Sequence, residues 1–361
     1  MTSPSAYSAP GRRPSALGRR GFLALAGAAV LTAAGCAPQT TPAAHSEPAG
    51  ELPTGPPPPG TELTIAVRTS RIQFAESGLG KKLPFSVAGW PNLSAGPDII
   101  QGFRAHSIDL ASNAGIPPIQ AEAIGVKARI VGVQVRHHPS YVFATAPGST
   151  VTDVDGFTGK KIAFSQGQAQ GVVVLRALKQ AGIAHDEVRL VELPSTQFLT
   201  ALQSGQVDIA PLGEPTLTKY LSQYAKDGAR GVRTDVVDLL SVLWAPAQVL
   251  DDPAKAAAVR SFVGLWAQGQ VWAWENQDRW IDAYYVKDQG VTAADGRRIV
   301  ESHAKPVFPA SWDEALAWEQ ETADLMAEGG FVPEIDAEKL FDRRFEGLAA
   351  AAVPARYREE G

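Results

Sequence analysis

Two stretches of this chain repeat one pattern roughly a hundred residues apart, and no other feature restricts its fold as strongly. The first reads Phe103-Arg-Ala-His-Ser-Ile-Asp-Leu-Ala, then Gly115-Ile-Pro117 and a helix. The second reads Ala201-Leu-Gln-Ser-Gly-Gln-Val-Asp-Ile-Ala, then Gly213-Glu-Pro215 and a helix. Each is helix, tight turn, strand, Gly, Pro, helix, with Asp109 and Asp208 in equivalent places. One such unit says little, whereas two imply a pair of related α/β lobes. Ligands of open α/β sheets sit beyond the carboxyl ends of the strands, so two such lobes facing one another enclose a cleft.

The surrounding pattern agrees. Period-two or short apolar runs predict strands at Glu62–Val67, Leu83–Ala88, Ile108–Ala111, Ile130–Val135, Tyr141–Ala144, Lys161–Phe164, Val188–Val191 and Val207–Ala210. Helices are expected over Pro97–Ala105, from Pro117 to Gly125, and over Gly171–Ala181 and Gln197–Ser204. Such alternation predicts parallel sheets. Beyond Leu250 the pattern turns helical, over Ala254–Glu275, Arg279–Val286, Ala293–Ser302 and Trp312–Glu328. The tryptophans crowd between Trp244 and Trp318, where core packing is the expected role for all but Trp244, which remains open as a ligand contact.

The first sixty residues follow other rules. Arg19-Arg20-Gly21-Phe22-Leu23 opens an apolar stretch to Ala34, about a signal-peptide core in length and short of a membrane-spanning helix. It resembles a twin-arginine export signal, and Ala33-Ala34-Gly35-Cys36 resembles a lipoprotein processing box. Residues 1–35 are therefore expected to be a signal peptide. Cys36, the only cysteine, is the expected lipidation site, which would anchor the chain to the outer face of the cytoplasmic membrane. With one cysteine there is no disulfide within the chain. Residues 37–60 hold eight prolines and read as a semi-rigid tether. With 33 basic against 38 acidic residues and no basic run, no nucleic-acid partner is expected.

The run Gly156-Phe-Thr-Gly-Lys-Lys-Ile-Ala-Phe-Ser-Gln-Gly-Gln-Ala-Gln-Gly, with Leu175-Arg-Ala-Leu-Lys-Gln-Ala-Gly182 after it, resembles one family. Ser94-Ala-Gly-Pro97, Val207-Asp-Ile-Ala and Glu214-Pro215 resemble it too. The family is that of the solute-binding proteins of ABC importers for aliphatic sulfonates, taurine and nitrate, with binders of a thiamine pyrimidine precursor among them. The resemblance covers about residues 61–345. It implies a two-lobed type II periplasmic-binding-protein fold, a cleft between the lobes and a helical C-terminal region. Lobe 1 would comprise residues 61–145 and 242–350 and lobe 2 residues 146–241, with crossing strands near Ala144–Pro147 and Val237–Leu243. It also implies a monomer that takes a small organic anion, most simply an aliphatic sulfonate or taurine-like compound, to an importer permease, with no cofactor.

Candidate site residues follow. Ser165 to Gln170 sits between a strand and a helix N-terminus, where unpaired N–H groups favour an anion. In the family this segment holds the sulfonate, a role carried here to Gln166, Gly167, Gln168 and Ala169; capping the helix is the alternative. Ser112 and Asn113 occupy the same place in the first lobe, facing ligand or forming an Asx turn. Thr69 and Ser70 follow the first strand, where the family places ligand contacts, and Trp90 stands as an apolar wall or as packing. Glu214 matches the acid of the family's Trp-Asp-Pro-like motif, with Leu212-Gly213 in place of the tryptophan. It either begins a helix or faces the cleft, where it would welcome an amine. His137-His138 point apart on a strand and are assigned no metal, and Arg136 beside them either helps draw anions or, as its first reading, is a solvated surface cation.

No catalytic constellation is visible: no Gly-x-Ser-x-Gly, no nucleotide loop, no zinc signature. A branch of the same fold synthesises the thiamine precursor, but its iron-binding cysteines have no match here, Cys36 being the only cysteine. A sensor domain is the third reading, and nothing in the chain supplies its partner.

Overall fold

A computed structural model of the chain describes residues 50–359. The expected signal peptide, Cys36 and the first part of the proline-rich segment lie outside the described residues. Residues 50–60 run along the body rather than away from it. The Arg260 guanidinium donates to the Thr54 and Gly55 carbonyls, the latter at 3.0 Å, and Arg344 donates to the Gly50 carbonyl at 3.2 Å. Pro57 is buried and Leu52 packs on the core, so residues 50–60 belong to the body and not to the tether expected through residue 60.

The elements alternate as their sequence period requires. The first run is β1 (Glu62–Ala66), α1 (Arg68–Ser77), β2 (Ser86–Gly89), α2 (Gly96–Arg104), β3 (Leu110–Ala114), α3 (Ile116–Ala123) and β4 (Ala128–Val135). The second is β5 (Tyr141–Thr145), β6 (Lys161–Phe164), α4 (Ala169–Ala181), β7 (Arg189–Glu192), α5 (Phe198–Gln203), β8 (Ile209–Gly213), α6 (Thr216–Tyr224) and β9 (Gly231–Val232). The chain then returns through β10 (Leu240–Pro246) into helices α7 (Ala247–Asp251), α8 (Pro253–Glu275), α9 (Gln277–Trp280), which continues as a π-helical turn over Ile281–Val286, α10 (Ala293–Glu301), α11 (Asp313–Glu328) and α12 (Leu348–Ala351). Strand starts lie up to three residues later than the hydrophobic pattern alone indicates, because the turns before β2, β3 and β8 are themselves apolar.

Two five-stranded sheets result, ordered β2-β1-β3-β10-β4 and β7-β6-β8-β5-β9. They are mixed rather than purely parallel. β10 runs antiparallel to β3 and β4, and β5 antiparallel to β8 and β9. These two exceptions are the strands that enter each sheet from the other. β5 therefore belongs to the second sheet, not to the first lobe as the 145/146 boundary assumed. The chain crosses at residues 136–140 and again at 233–239, and each crossing delivers a strand antiparallel to its new neighbours. Helices cover the faces, so the central strands are buried on both sides: Leu63, Ile65, Leu110, Ile130, Val133 and Val242 have no exposed surface.

The repeat seen in the sequence is a structural one. In the first sheet the Asp109 carboxylate accepts from the Thr64 N–H of β1 at 2.8 Å, and the Asp109 N–H donates to the Thr64 carbonyl at 2.8 Å. In the second, Asp208 accepts from the Lys161 N–H at 2.8 Å and donates its own N–H to the Lys161 carbonyl at 2.8 Å. Each aspartate ties the entry of one strand to its parallel neighbour, which satisfies backbone groups that the slanted parallel ladder leaves open.

Candidate functional site

One cavity of about 390 Å³ is lined from both sheets, from the first crossing and from the C-terminal helices. The first sheet contributes Thr69 just past β1 and Ser112 in β3; the second contributes Tyr141 of β5 and Gly213 and Glu214 at the end of β8. Thr69, Gly213 and Glu214 lie at or past the carboxyl ends at which open sheets place ligands, and Tyr141, at the amino end of the antiparallel β5, is brought there by pairing with Gly213. The crossing contributes Arg136, His138, Pro139 and Ser140, and α8 contributes Gln270, Ala273 and Trp274. Trp280, Tyr284, Tyr285 and His303 complete the aromatic and polar wall.

Arg136 is the cation of this wall. Its Nη2 donates to the Leu240 carbonyl at 3.3 Å and lies 3.6 Å from the Asp238 carboxylate, while its Nε has no partner. The sequence assigned it to solvent; the crossing carries it into the cavity instead. Glu214 stands at the start of α6 and also in the cavity lining. Its Oε2 accepts from the Thr218 N–H at 3.1 Å and from the Thr218 hydroxyl at 2.7 Å, capping α6. It also lines the cavity, with Arg298 at 3.6 Å balancing its charge. Enclosure by the cavity walls, and then the Arg136 cation, push the His303 imidazole below its ordinary range, against the pull of Glu214. Burial raises the Tyr141, Tyr284 and Tyr285 phenols, helped by Asp238, Asp288 and Tyr284 respectively. All three stay protonated and able to donate.

The remaining expected residues stand elsewhere. Trp244 has no exposed surface; its ring meets Phe103 edge-on at 4.6 Å, and its indole N–H donates to Asn113 Oδ1 at 2.6 Å. It is a core residue that orients Asn113, whose amide donates in turn to the Ser94 carbonyl at 3.1 Å. Asn113 is thus engaged by the first half of the molecule and is not among the cavity-lining residues. Ser70 is fully buried on the inner face of α1. Trp90 packs edge-on to Phe74 at 6.2 Å and against Phe262 at 6.3 Å, which is the packing role.

The Gln166–Ala169 segment also differs from expectation. Gln168 and Ala169 are buried, and Gln168 Oε1 accepts from the Ser165 hydroxyl and from the Ser195 N–H, each at 2.8 Å. Gln166 donates to the Phe331 carbonyl, and its own carbonyl accepts from Gln120 at 3.1 Å. The loop therefore presses on the first half of the molecule, outside the cavity lining. The backbone at Gly167 comes close to Gly96. A Cβ on Gly96 would stand 2.6 Å from the Gly167 carbonyl oxygen, whereas one on Gly167 would make only ordinary contacts at 3.5 Å and beyond.

Beside the cavity the same junction buries Arg176, Asp238 and Glu319. Arg176 lies over the Trp318 ring at 3.9 Å and donates to Glu321 and to Thr322, each at 2.9 Å, joining α4 to α11. Burial, reinforced by Asp238, pushes the Glu319 carboxyl up to about 8. Burial likewise pushes Asp238 up to about 6, held back by Arg136 and Arg176. Among the described residues no group of three His, Cys, Asp or Glu is placed to hold a metal. His137 bonds Glu314 at 3.0 Å, while His138 faces the cavity. No described helix is long and apolar enough to cross a membrane.

Sequence reasoning missed Arg136, Tyr141, Trp274, Trp280, Tyr284, Tyr285 and His303. The available signal was the run from Trp272 to Tyr285, where polar-tipped aromatics recur in a helical stretch. Core residues need no hydroxyls, and those tips mark a wet face.

Residues 94–279 match the family described as NMT1/THI5 like. The chain is 27% identical over 257 residues to an Escherichia coli (strain K12) protein named for aliphatic sulfonate binding, spanning 71% of this chain and 79% of that one. Among solved structures it is similar to the periplasmic aliphatic sulphonate binding protein SsuA from Escherichia coli, with a TM-score of 0.65, 25% identity, and coverage of 78% of this chain and 92% of that one. The alkanesulfonate-binding protein SsuA from Xanthomonas axonopodis pv. citri bound to MOPS gives a TM-score of 0.66 at 21% identity, covering 83% and 99%. The same fold also houses an enzyme, the desulfurization enzyme DszB, at a TM-score of 0.56 and 15% identity, covering 81% and 99%.

Proposed function

The chain belongs to the NMT1/THI5-like family, and from that premise we propose that it is the exported solute-binding component of an ABC importer, capturing a small organic sulfonate between its two sheets. One observation carries the reading. The 390 Å³ cavity draws its walls from both sheets and both ends of the first crossing, so a ligand touching Thr69, Ser112, Arg136 and Glu214 holds the two halves together. A two-lobed receptor signals occupancy to its importer by that closure.

The names of its relatives supply the ligand class, and Arg136 supplies the complementary charge. With the His303 imidazole held below its ordinary range and Glu214 balanced by Arg298, the guanidinium is the cation that the lining offers, although it also faces Asp238 at 3.6 Å. The Thr69 and Ser112 hydroxyls and the tyrosine O–H groups are donors suited to sulfonate oxygens. Glu214 and the space left by the family's missing tryptophan admit groups beyond the sulfonate itself. Lipidation of Cys36 and a proline-rich leash would keep the receptor at the membrane surface beside its permease. An intact mass lacking the lipid would remove that part of the proposal and leave the rest standing.

Calorimetry of the purified chain against ethanesulfonate, taurine, longer alkanesulfonates and nitrate tests the central reading. Saturable one-to-one binding of a sulfonate without turnover is expected. Arg136→Gln should weaken it by roughly ten- to a hundred-fold, the worth of a charge-assisted hydrogen bond, and Arg136→Lys should restore part of the loss. Absence of heat with every sulfonate would refute the proposal, and turnover of a bound sulfonate would favour the enzyme reading that the DszB fold allows.

A further inference from the structure

We infer that the sulfonate this chain takes carries an aromatic ring, and that short unbranched sulfonates are secondary ligands. The inference rests on the sulfonate reading above and narrows it. It stands on the size of the cavity and on the chemistry and rigidity of one wall.

A cavity of about 390 Å³ falls within the range of pockets that enclose drug-sized molecules, roughly 300–1,000 Å³. A short alkyl sulfonate leaves most of that volume to water, at about 30 Å³ a molecule, and buries little apolar surface. The wall is unlike one built for an alkyl chain, which is filled best by branched aliphatic side chains. Here Ala273, Val300, Ala304 and Pro306 supply its small aliphatic part, and the large side chains are Trp274, Trp280, Tyr284 and Tyr285, with Tyr141 from the second sheet.

These rings are locked before any ligand arrives. Trp280 and Tyr284 stack at 4.6 Å with planes 7° apart, and Tyr284 meets Tyr285 edge-on at 4.9 Å and 73°. Trp280 and Tyr285 are nearly fully buried, anchored among Ile281, Val291, Ile299 and Val300. The wall thus presents fixed ring surface, chiefly that of the half-buried Trp274 and Tyr284 held by the buried Trp280 and Tyr285, to which an aromatic partner adds in an offset or edge-on geometry that an alkyl chain cannot use. No reorganisation is needed on binding, which favours a rigid guest over a flexible one.

The polar groups fit the same guest. Arg136 and Tyr141 enter from the crossing and the strand it leads into, while Trp274, Trp280, Tyr284 and Tyr285 come from α8, α9 and the turn after them, so the charge and most of the aromatic surface are supplied by different parts of the lining. An aryl sulfonate has that division, with its anion and its ring at opposite ends of a rigid axis. Glu214, held by Thr218 and Arg298, makes no demand for a ligand amine.

The test is calorimetry of the purified chain with benzenesulfonate, 4-toluenesulfonate, ethanesulfonate and octanesulfonate under one buffer, followed by Trp280→Leu and Tyr284→Leu. The aryl sulfonates should bind roughly ten-fold tighter than ethanesulfonate, quenching tryptophan fluorescence, and either substitution should narrow that ratio. Should ethanesulfonate match benzenesulfonate, or octanesulfonate surpass it, the inference fails while the sulfonate reading survives. Should no sulfonate bind, both fall together. The comparison among ligands on the unsubstituted chain decides the matter even where a variant does not fold.

Discussion

Glu319 holds a carboxyl where a carboxylate cannot be solvated. It is fully buried at the junction of α11, α4 and the second crossing, with Asp238 adding negative charge and Arg176 only partly offsetting it. The folded chain keeps this proton to about pH 8, while an unfolded glutamate releases it near 4.5. Between those values the folded state binds more protons, so stability is full below the lower value and falls as pH rises toward the upper one. At about 1.4 kcal/mol per ten-fold difference in proton affinity, the fall across that window is on the order of 5 kcal/mol. Glu319→Gln should flatten it, leaving the smaller slope below about pH 6 that belongs to Asp238. Urea midpoints at pH 5 and pH 8 measure this, and identical slopes in variant and parent would rule it out. Little of this was readable in the sequence, because a glutamate on an amphipathic helix looks solvated whichever way it faces. Arg136 was misread for the same reason: residue type and period locate a side chain on a strand end, but only the crossing decides what that end faces. That Thr69, Ser112 and Glu214 line the cavity was legible because each lies in or just past a strand whose direction the sequence pattern fixes.

At the scale of elements, the repeat was the readable part, and its physical content is the aspartate that pins one parallel strand to the next. Asp208 accepts from Lys161 alone, whereas Asp109 accepts from Thr64 and also pairs with Lys255 at 2.6 Å. Asp208→Ala should therefore cost about 1–2 kcal/mol, the penalty for stranding a half-buried N–H, and Asp109→Ala a little more, since Lys255 loses its partner. The asparagine variants keep an acceptor and should recover most of the loss. Equal stability of parent and both alanine variants in urea melts would show that the ladder needs no such tie. The hidden part was the placing of β5. Its pattern of alternation marks a strand, but pairing to β8 is a long-range event that local period cannot report. The loop before α4 was hidden likewise. Its composition suits an anion site, and only the packing of α2 and α3 against it shows that the nearest occupant is the chain's own Gly96, Pro97 and Gln120.

For the molecule as a whole, the two halves meet on one side through protein and on the other across the cavity. The protein side is close: the Gly167 carbonyl and Pro117 leave no room for any side chain at Gly96, at 2.6 Å and 2.7 Å from a Cβ placed there. Pro117 belongs to the same half as Gly96 and is fixed at the start of α3, so a methyl group must push the Gly167 loop away. Gly96→Ala is accordingly a wedge between the halves. Its backbone angle is one that alanine adopts freely, since Gly96 is absent from the residues with positive φ, and alanine favours the helix it begins. The wedge acts on the distance between the halves, and a ligand that must touch both pays for it. Affinity should fall roughly ten-fold with unchanged far-UV circular dichroism and a larger radius of gyration by small-angle scattering. Gly167→Ala is the matched control, because its Cβ meets Pro97 and Gln120 only at ordinary contact, 3.5 Å and 3.6 Å. If both alanines reduce affinity alike, the loop itself touches the ligand, and the family's placement of the anion at Gln166–Ala169 regains the ground that the cavity has taken from it. If Gly96→Ala alone does so, closure between the halves is what the ligand stabilises, and the anion is held at Arg136.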